Sequence, residues 1–411
     1  MNPIQKAYCR VFQTALRIAL PVLPYREPVI LHSVQEVPDI ILKNGKKRVL
    51  LVTDATVRRL GLTKGLEEAL AARKIPCCVY SGTVANPTTE NVEEALKLYR
   101  RGHCDALIGF GGGSSMDCAK AVGACIARPG RKPGDMEGIL KVRRPLPLLI
   151  AVPTTAGTGS ETTLAAVIVD SATRHKYAIN DFPLIPRYAV LDPEVTLSLP
   201  PFVTATTGLD ALTHAVEAYI GNSMTKETRR DARKAVSLIF QNLNDACRNG
   251  QDIRARENML MAAFFAGCAF TRSYVGYVHA VAHSLGGAYD VPHGLANAML
   301  LPRVLRAYGS RIDSKLKDLA VAAGVAWEDT PQKEAAARFL DAIEDLNQSF
   351  DIPDRLPALK KKDIPKLARQ AAHEANPLYP VPVLMDAKQL EAFYEMLLVQ
   401  DGGKAKGKRE A

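Results

Sequence analysis

Gly109-Phe110-Gly111-Gly112-Gly113-Ser114-Ser115-Met116-Asp117 is the stretch that decides the fold. A β-type run, Asp105 to Gly109 (DALIG), leads into it, and a helical pattern leaves it at Ser114. Three consecutive glycines let the backbone approach a ligand with no side chain in the way. The free N–H groups of the helix start then point at the same spot, where a pyrophosphate binds. Ser114 and Asp117 also have capping-box spacing, with Asp in place of Glu, which predicts a side-chain cap on that helix. The segment departs from G-x-G-x-x-G because Ser114 occupies the last glycine position. Asp54 precedes the glycines, whereas the Rossmann order puts the acidic residue after them. Two readings of Asp54 stand side by side: acceptor of a ribose hydroxyl, favouring NAD over NADP by repelling a 2'-phosphate, or N-cap of the next helix.

Upstream, Arg48 to Thr53 (RVLLVT) reads as a strand ending in Asp54, followed by a helix through about Arg73, a strand Pro76 to Tyr80 and a helix Thr89 to Arg101. Strand and helix in alternation predict a parallel sheet with right-handed crossovers. Downstream, strands are expected at Leu146 to Val152, Ala165 to Asp170 and Tyr188 to Leu191. Between the first two lies a second small-residue loop, Pro153 to Thr163 (PTTAGTGSETT), whose hydroxyls and amides suit a ribose, a phosphate or a carboxamide. Lys176, on a strand or strand edge, would place a positive charge near the diphosphate. From Pro201 the pattern changes to helices at about 202–219, 226–248, 253–273, 276–289 and 387–399. The expected organisation is an α/β domain over 1–200, an all-α domain over 201–400 and a flexible basic tail over 401–411. Residues 1–24 form an N-terminal extension with a helix at about 3–21. No internal repeat is visible.

The helical part carries Asp210-x-x-x-His214, then His279-x-x-x-His283, then His293. Residues at i and i+4 share one helix face, so two helices aim two side chains each at one point while His293 arrives from the following turn. Mixed oxygen and nitrogen donors suit Fe2+, Zn2+, Co2+ or Mn2+ better than Ca2+ or Mg2+. Spacing alone does not say which of the five is the spare one.

Composition narrows the class. At 411 residues the chain exceeds one ordinary core. With 47% hydrophobic and 23% charged residues it is an ordinary globular sequence. The net charge of +10 is dispersed, with a short run only at Lys404, Lys406, Lys408 and Arg409, so a nucleic-acid stripe is not expected. Cys9, Cys77, Cys78, Cys104, Cys118, Cys125, Cys247 and Cys268 form no Cys-x-x-Cys pair and read as free thiols of a reducing compartment. No signal peptide and no membrane-length apolar run is read, so a cytoplasmic protein is expected.

GGGSSMD at 111–117, PTTAGTGSE at 153–161, GLDALTHAVEAYI at 208–220 and VHAVAHSLGGAYDVPHGLANAMLLP at 278–302 resemble the iron-containing (group III) alcohol dehydrogenase family. The likeness runs in order from about residue 30 to Asn376-Pro377. It implies a dehydroquinate synthase-like fold, an α/β dinucleotide-binding domain followed by a helical metal-binding domain, and NAD(P)-linked interconversion of alcohols and aldehydes between them. By the same resemblance Asp210, His214, His279 and His293 take the metal-ligand positions, and His283 a position beside the metal and the nicotinamide. Asp54, Asn86, Gly112, Gly113, Ser114, Thr154, Thr155 and Lys176 fall at dinucleotide-contact positions, and Asp117 is grouped with them. Fe2+ is the first expectation and Zn2+ the second. Such an ion acts as a Lewis acid on the substrate oxygen while hydride moves between the substrate carbon and the nicotinamide; His283 is either a proton relay or an orienter of a ligand. Ser284 stands where many members have proline, which predicts a looser turn beside His283. A homo-oligomer, a dimer at first guess, is expected, with the N-terminal extension as a possible subunit contact. Other readings are a zinc glycerol-type dehydrogenase, a cyclase-type lyase that retains its NAD, and a non-catalytic metal protein.

Overall fold

The computed structural model describes residues 1–399; the expected tail, 401–411, lies outside them. Nine strands are present among the described residues: β1 (Val29–Leu31), β2 (Val49–Asp54), β3 (Cys77–Thr83), β4 (Ala106–Gly111), β5 (Gly138–Ile139), β6 (Leu148–Pro153), β7 (Ala165–Val169), β8 (Lys176–Asn180) and β9 (Tyr188–Val190). Six of them form a fully parallel sheet in the order β1-β9-β6-β4-β2-β3. The central strands read as unbroken apolar runs because both of their faces are covered: Val49 to Val52 and Ala106 to Ile108 are fully buried. Register places Val52 beside Gly109, and Gly111 beside Pro153. The carboxyl ends of β2, β4 and β6 therefore bring Asp54, the glycine run and the Pro153–Thr163 loop to one edge, the place where open parallel sheets take ligands.

Two sequence expectations need correction. The single helix expected from Asp54 to Arg73 is two, Ala55–Arg59 and Lys64–Ala72, because Gly61 (φ +72) turns the chain between them. The strand at Ala165 does not extend the parallel sheet. It pairs antiparallel with β8, and with β5 they make a separate three-stranded sheet.

From Pro201 to Glu395 the regular structure is helical, and one buried cluster runs through it. The helices Pro201–Ile220, Lys226–Arg248, Ile253–Ser273 and Tyr277–Tyr289 lie close to their expected spans. Among the described residues no single helix is long and apolar enough to cross a membrane. None of the eight cysteines is paired, and six are buried.

The N-terminal helix, Pro3–Ala19, starts with a true capping box: Asn2 Oδ1 accepts from Gln5 N at 2.8 Å and Gln5 Oε1 from Asn2 N at 3.2 Å. The sequence reading counted it with the α/β half, yet it packs on the helical half. Cys9 joins that core, Arg10 donates to the carbonyls of Val381 and Pro382 at 2.8 Å each, and Gln13 Nε2 donates to Tyr379 O at 2.7 Å.

The two halves approach closely where Gly159, with φ +62, meets Gly267 of the helix Ile253–Ser273. A Cβ on Gly159 would lie 2.8 Å from Gly267 Cα, and one on Gly267 would lie 2.2 Å from Thr162 Oγ1. Only glycine fits on either side.

Candidate active site

The helix Pro201–Ile220 carries Asp210, His214 and Glu217 on one buried face. His279 sits in the first turn of Tyr277–Tyr289, and His293 is the first residue of His293–Tyr308. That last helix can approach because its second residue is Gly294, where a Cβ would lie 2.3 Å from Thr206 O. One ligand atom each from Asp210, His214, His279 and His293 lie within 4.8 Å of one another. Asp210 Oδ1 is 3.4 Å from His293 Nε2 and 4.0 Å from His214 Nδ1. Two of the nitrogens, His214 Nδ1 and His279 Nε2, are buried with no hydrogen-bond partner. Buried polar atoms are almost always satisfied, so a convergent pair of orphans fits an ion.

Neighbours tune the donors. Glu217 Oε2 accepts from His279 Nδ1 at 2.6 Å and from Gly276 N at 2.9 Å, while Oε1 accepts from Val278 N at 2.8 Å. That arrangement commits the His279 proton to Nδ1 and leaves Nε2 for a metal. Asn297 Nδ2 donates to Asp210 Oδ1 at 2.7 Å and lies 3.1 Å from His293 Nε2. Burial depresses His214 and His279, the latter strongly, and brings His293 down to about 4. All three imidazoles are therefore neutral at pH 7, the form that binds metal. Burial pushes Glu217 up to about 7 against the backbone N–H groups that hold it down.

His283 lies outside the four-donor cluster, its ring stacked on His293 at 5.1 Å between centroids. Its Nδ1 is 2.7 Å from Glu374 Oε1, which also accepts from Tyr379 OH at 2.8 Å. Burial would lower His283, but the Glu374 charge and hydrogen bond outweigh it and the net shift is upward. Burial likewise opposes ionisation of Glu374, and His283 overcomes it, so Glu374 is depressed. Ser284 does not open a looser turn. It stays inside the helix, with Oγ donating to Val281 O at 2.8 Å and lying 2.6 Å from Tyr394 OH.

The expected cofactor residues meet at the sheet edge. The helix after β4 is Gly113–Ala127, and its N-cap is Gly112 with no side-chain cap. The predicted Ser114–Asp117 box is absent because both side chains are engaged elsewhere. Ser114 Oγ accepts from Asn86 N at 3.3 Å; Asp117 accepts from Ser160 Oγ at 2.7 Å and Val167 N at 3.0 Å. The first-turn N–H groups thus have no side-chain cap beside a cradle that a Cβ on Gly111 or Gly113 would crowd. At Gly111 (φ +146) it would lie 2.6 Å from Ser115 Oγ, and at Gly113 3.3 Å from Thr158. Thr155 Oγ1, facing Gly112, is buried without a partner. Thr154 is buried, its N–H bonded to Gly111 O at 3.0 Å. Asp54 caps Ala55–Arg59 through Oδ1, which accepts from Thr56 N and Val57 N at 2.9 Å. Its Oδ2 faces Ser115 Oγ at 3.4 Å, beside Gly111. Asn86, at φ +56, accepts from Lys176 Nζ at 2.7 Å. The donor set and the glycine cradle fit a divalent ion and a dinucleotide.

Two profiles match the chain, "Iron-containing alcohol dehydrogenase" over residues 30–193 and "Fe-containing alcohol dehydrogenase family, C-terminal" over residues 204–398. The chain belongs to the iron-containing alcohol dehydrogenase family. It is 39% identical over 339 residues to a 1,3-propanediol dehydrogenase of Citrobacter freundii, covering 81% of this chain and 87% of that one. It is 36% identical over 341 residues to an NAD-dependent methanol dehydrogenase of Bacillus methanolicus, covering 82% and 89%. A crystal structure of 1,3-propanediol oxidoreductase superposes with a TM-score of 0.87 at 35% identity, covering 91% of this chain and 99% of that one. This iron-containing family member is accordingly a metal-dependent, NAD-linked oxidoreductase of the alcohol dehydrogenase and aldehyde reductase type.

Sequence reasoning did not find Glu217, Asn297, Glu374, Tyr379 or Lys120. Glu217 had a signal, since it continues the Asp210, His214 face at i+7. Lys120 is fully buried under the Pro153–Thr163 loop. Its Nζ directs its three protons among four oxygens, Ser160 O at 2.6 Å, Ser160 Oγ at 2.9 Å, Thr163 Oγ1 at 2.7 Å and Ala165 O at 2.9 Å, and burial pulls it down to about 8.

Proposed function

We propose that this dehydrogenase interconverts small primary alcohols or diols with their aldehydes, using Asp210, His214, His279 and His293 to hold Fe2+ or Zn2+. The reading is supported above all by four side chains bringing one ligand atom each within 4.8 Å of the others, two of them, His214 and His279, carrying a partnerless buried nitrogen. The relatives named for 1,3-propanediol and methanol support the substrate class. A divalent ion there supplies Lewis acidity toward a substrate oxygen.

The chain's own residues do the rest. Gly111 to Gly113 and the free N–H groups of the following helix take the diphosphate. Asn86 and Lys176 flank it, Thr154 and Thr155 line the opposite wall, and Asp54 accepts from the adenosine ribose and disfavours a 2'-phosphate. Glu217 orients His279. Glu374 holds the Nδ1 proton of His283, leaving Nε2 to take the hydroxyl proton of an alcohol or return it to the product of aldehyde reduction. Asp117 acts as an anchor of the loop through Ser160 and Val167.

The test is elemental analysis of anaerobically purified protein together with NADH-linked turnover on a panel of primary alcohols, diols and aldehydes. His279→Ala and His293→Ala should lose metal and turnover together. Full turnover by either variant without metal would sink the assignment, as would bound metal with no net NADH formed from any substrate.

A further inference from the structure

The N-terminal helix leaves one face uncovered, and that face is patterned. Ile4, Tyr8, Val11, Ala15, Ile18 and Val22 are all exposed, and the five larger ones are between 62% and 82% exposed. Within the helix Pro3–Ala19 the spacings from Ile4 to Ile18 run 4, 3, 4, 3, which keeps these side chains on one stripe, and Val22 follows in the 3-10 turn Leu20–Val22. The flanking positions, Gln5, Ala7, Phe12, Thr14 and Ala19, add no charge. Lys6, Arg10 and Arg17 fall on the opposite arc, on the side of Cys9 and Gln13, by which the helix is fixed to its own chain.

We propose that this stripe pairs antiparallel with the same helix of a second copy of the chain, forming a two-fold contact. Pairing about residue 13 sets Tyr8 against Ile18 and Val11 against Ala15 of the other copy, with Ile4 directed toward the turn Leu20–Val22. Each layer joins a larger side chain to a smaller one, which lets the helices interdigitate. The area suffices. With Phe12 included, the six large side chains expose roughly 700 Å² per copy, or about 1,400 Å² in the pair, against about 1,200–2,000 Å² for a standard stable interface. It also exceeds the largest apolar patch of a typical monomer, about 300–600 Å². A lipid surface is the poorer fit, because only Lys6 and Arg17 stay exposed on the polar arc to meet anionic headgroups. Here Arg10 is spent on the Val381 and Pro382 carbonyls.

Sedimentation velocity on the full chain tests the contact. Val11→Glu with Ile18→Glu should halve the mass of the particle and leave circular dichroism and NADH-linked turnover unchanged, since neither side chain touches the site. Oxidation with copper phenanthroline should cross-link Tyr8→Cys/Ile18→Cys into a covalent dimer. The Tyr8→Cys/Ala15→Cys chain, whose thiols face no partner in this register, should stay uncross-linked. An unchanged mass in the charged variant overturns the proposal, whether the parent is a monomer or associates by another surface. So does loss of flotation with phosphatidylserine-containing vesicles in the charged variant while its mass stays the same, which would assign the face to a membrane.

Discussion

Asp54 is a helix cap, and its second oxygen lies where the proposed ribose contact would form. Oδ1 caps a helix while Oδ2 looks across at Ser115 and the glycine cradle. Substitutions should separate cap from contact. Asp54→Ser keeps a capping oxygen and removes the charge, so the preference for NAD over NADP should fall by about tenfold, about 1.4 kcal/mol, with thermal stability held. Asp54→Ala should lose the same preference and also about 1 kcal/mol of stability. Cofactor kinetics and melting curves on the pair decide it; equal selectivity in all three proteins would leave Asp54 as a cap alone.

The His283–Glu374 pair gives a pH signature. His283 is raised in the fold, so its contribution is complete below its ordinary value of 6.5 and is lost as pH rises through the raised value. Glu374 is depressed, so its contribution is present above its ordinary 4.5 and lost as pH falls through the depressed value. The stability gap between the parent and Glu374→Gln should therefore be widest between about pH 4.5 and 6.5 and narrow on both sides. Melting curves of the metal-free proteins across pH 3 to 9 read it, and a gap that does not change with pH would mean that no charged pair forms. The candidate ligands were only partly legible in the sequence: local i, i+4 spacing picks out Asp210 with His214 and His279 with His283, but it does not separate His283 from the four residues that converge. Glu374 was not legible, because it reaches His283 across 91 residues and only the fold brings them together.

Elements with strong local pattern came through closely. Thr89–Arg101 has the expected bounds, and the helix expected at 202–219 is Pro201–Ile220. Local pattern misled where pairing decides. The apolar run at Ala165 carries no sign of which sheet it joins, and the serine at the start of Gly113–Ala127 lost its capping role to a tertiary contact with Asn86. The helix Ile253–Ser273 carries its own test. In Gly267→Ala the new methyl would meet Thr162 Oγ1 at 2.2 Å and Gly159 backbone at 3.0 Å. Overpacking of this kind costs about 1–3 kcal/mol, and because Gly159 belongs to the small-residue loop, KM for NAD should rise with the loss of stability. A variant with unaltered melting and unaltered KM would show that the crossing has slack.

On the scale of the whole molecule, the four candidate ligands come from three helices, so an ion bound there ties Pro201–Ile220, Tyr277–Tyr289 and His293–Tyr308 together. Metal at a hundred times its dissociation constant stabilises by about 2.7 kcal/mol. Removing it with a chelator should lower Tm by several degrees, and adding Fe2+ or Zn2+ back should restore it, as scanning calorimetry would record. A Tm indifferent to chelation would place the ion, if any, elsewhere. The glycine crossing reaches further than packing. Gly159 backbone meets Gly267 backbone there beside Thr162 Oγ1, so the spacing of the small-residue loop over the helix Ile253–Ser273 is set by main chain and cannot be relaxed by a rotamer change at either glycine. A loop held at that height keeps the distance between Thr154, Thr155 and the glycine run constant, so the proposed dinucleotide groove is built to one gauge before any ligand enters.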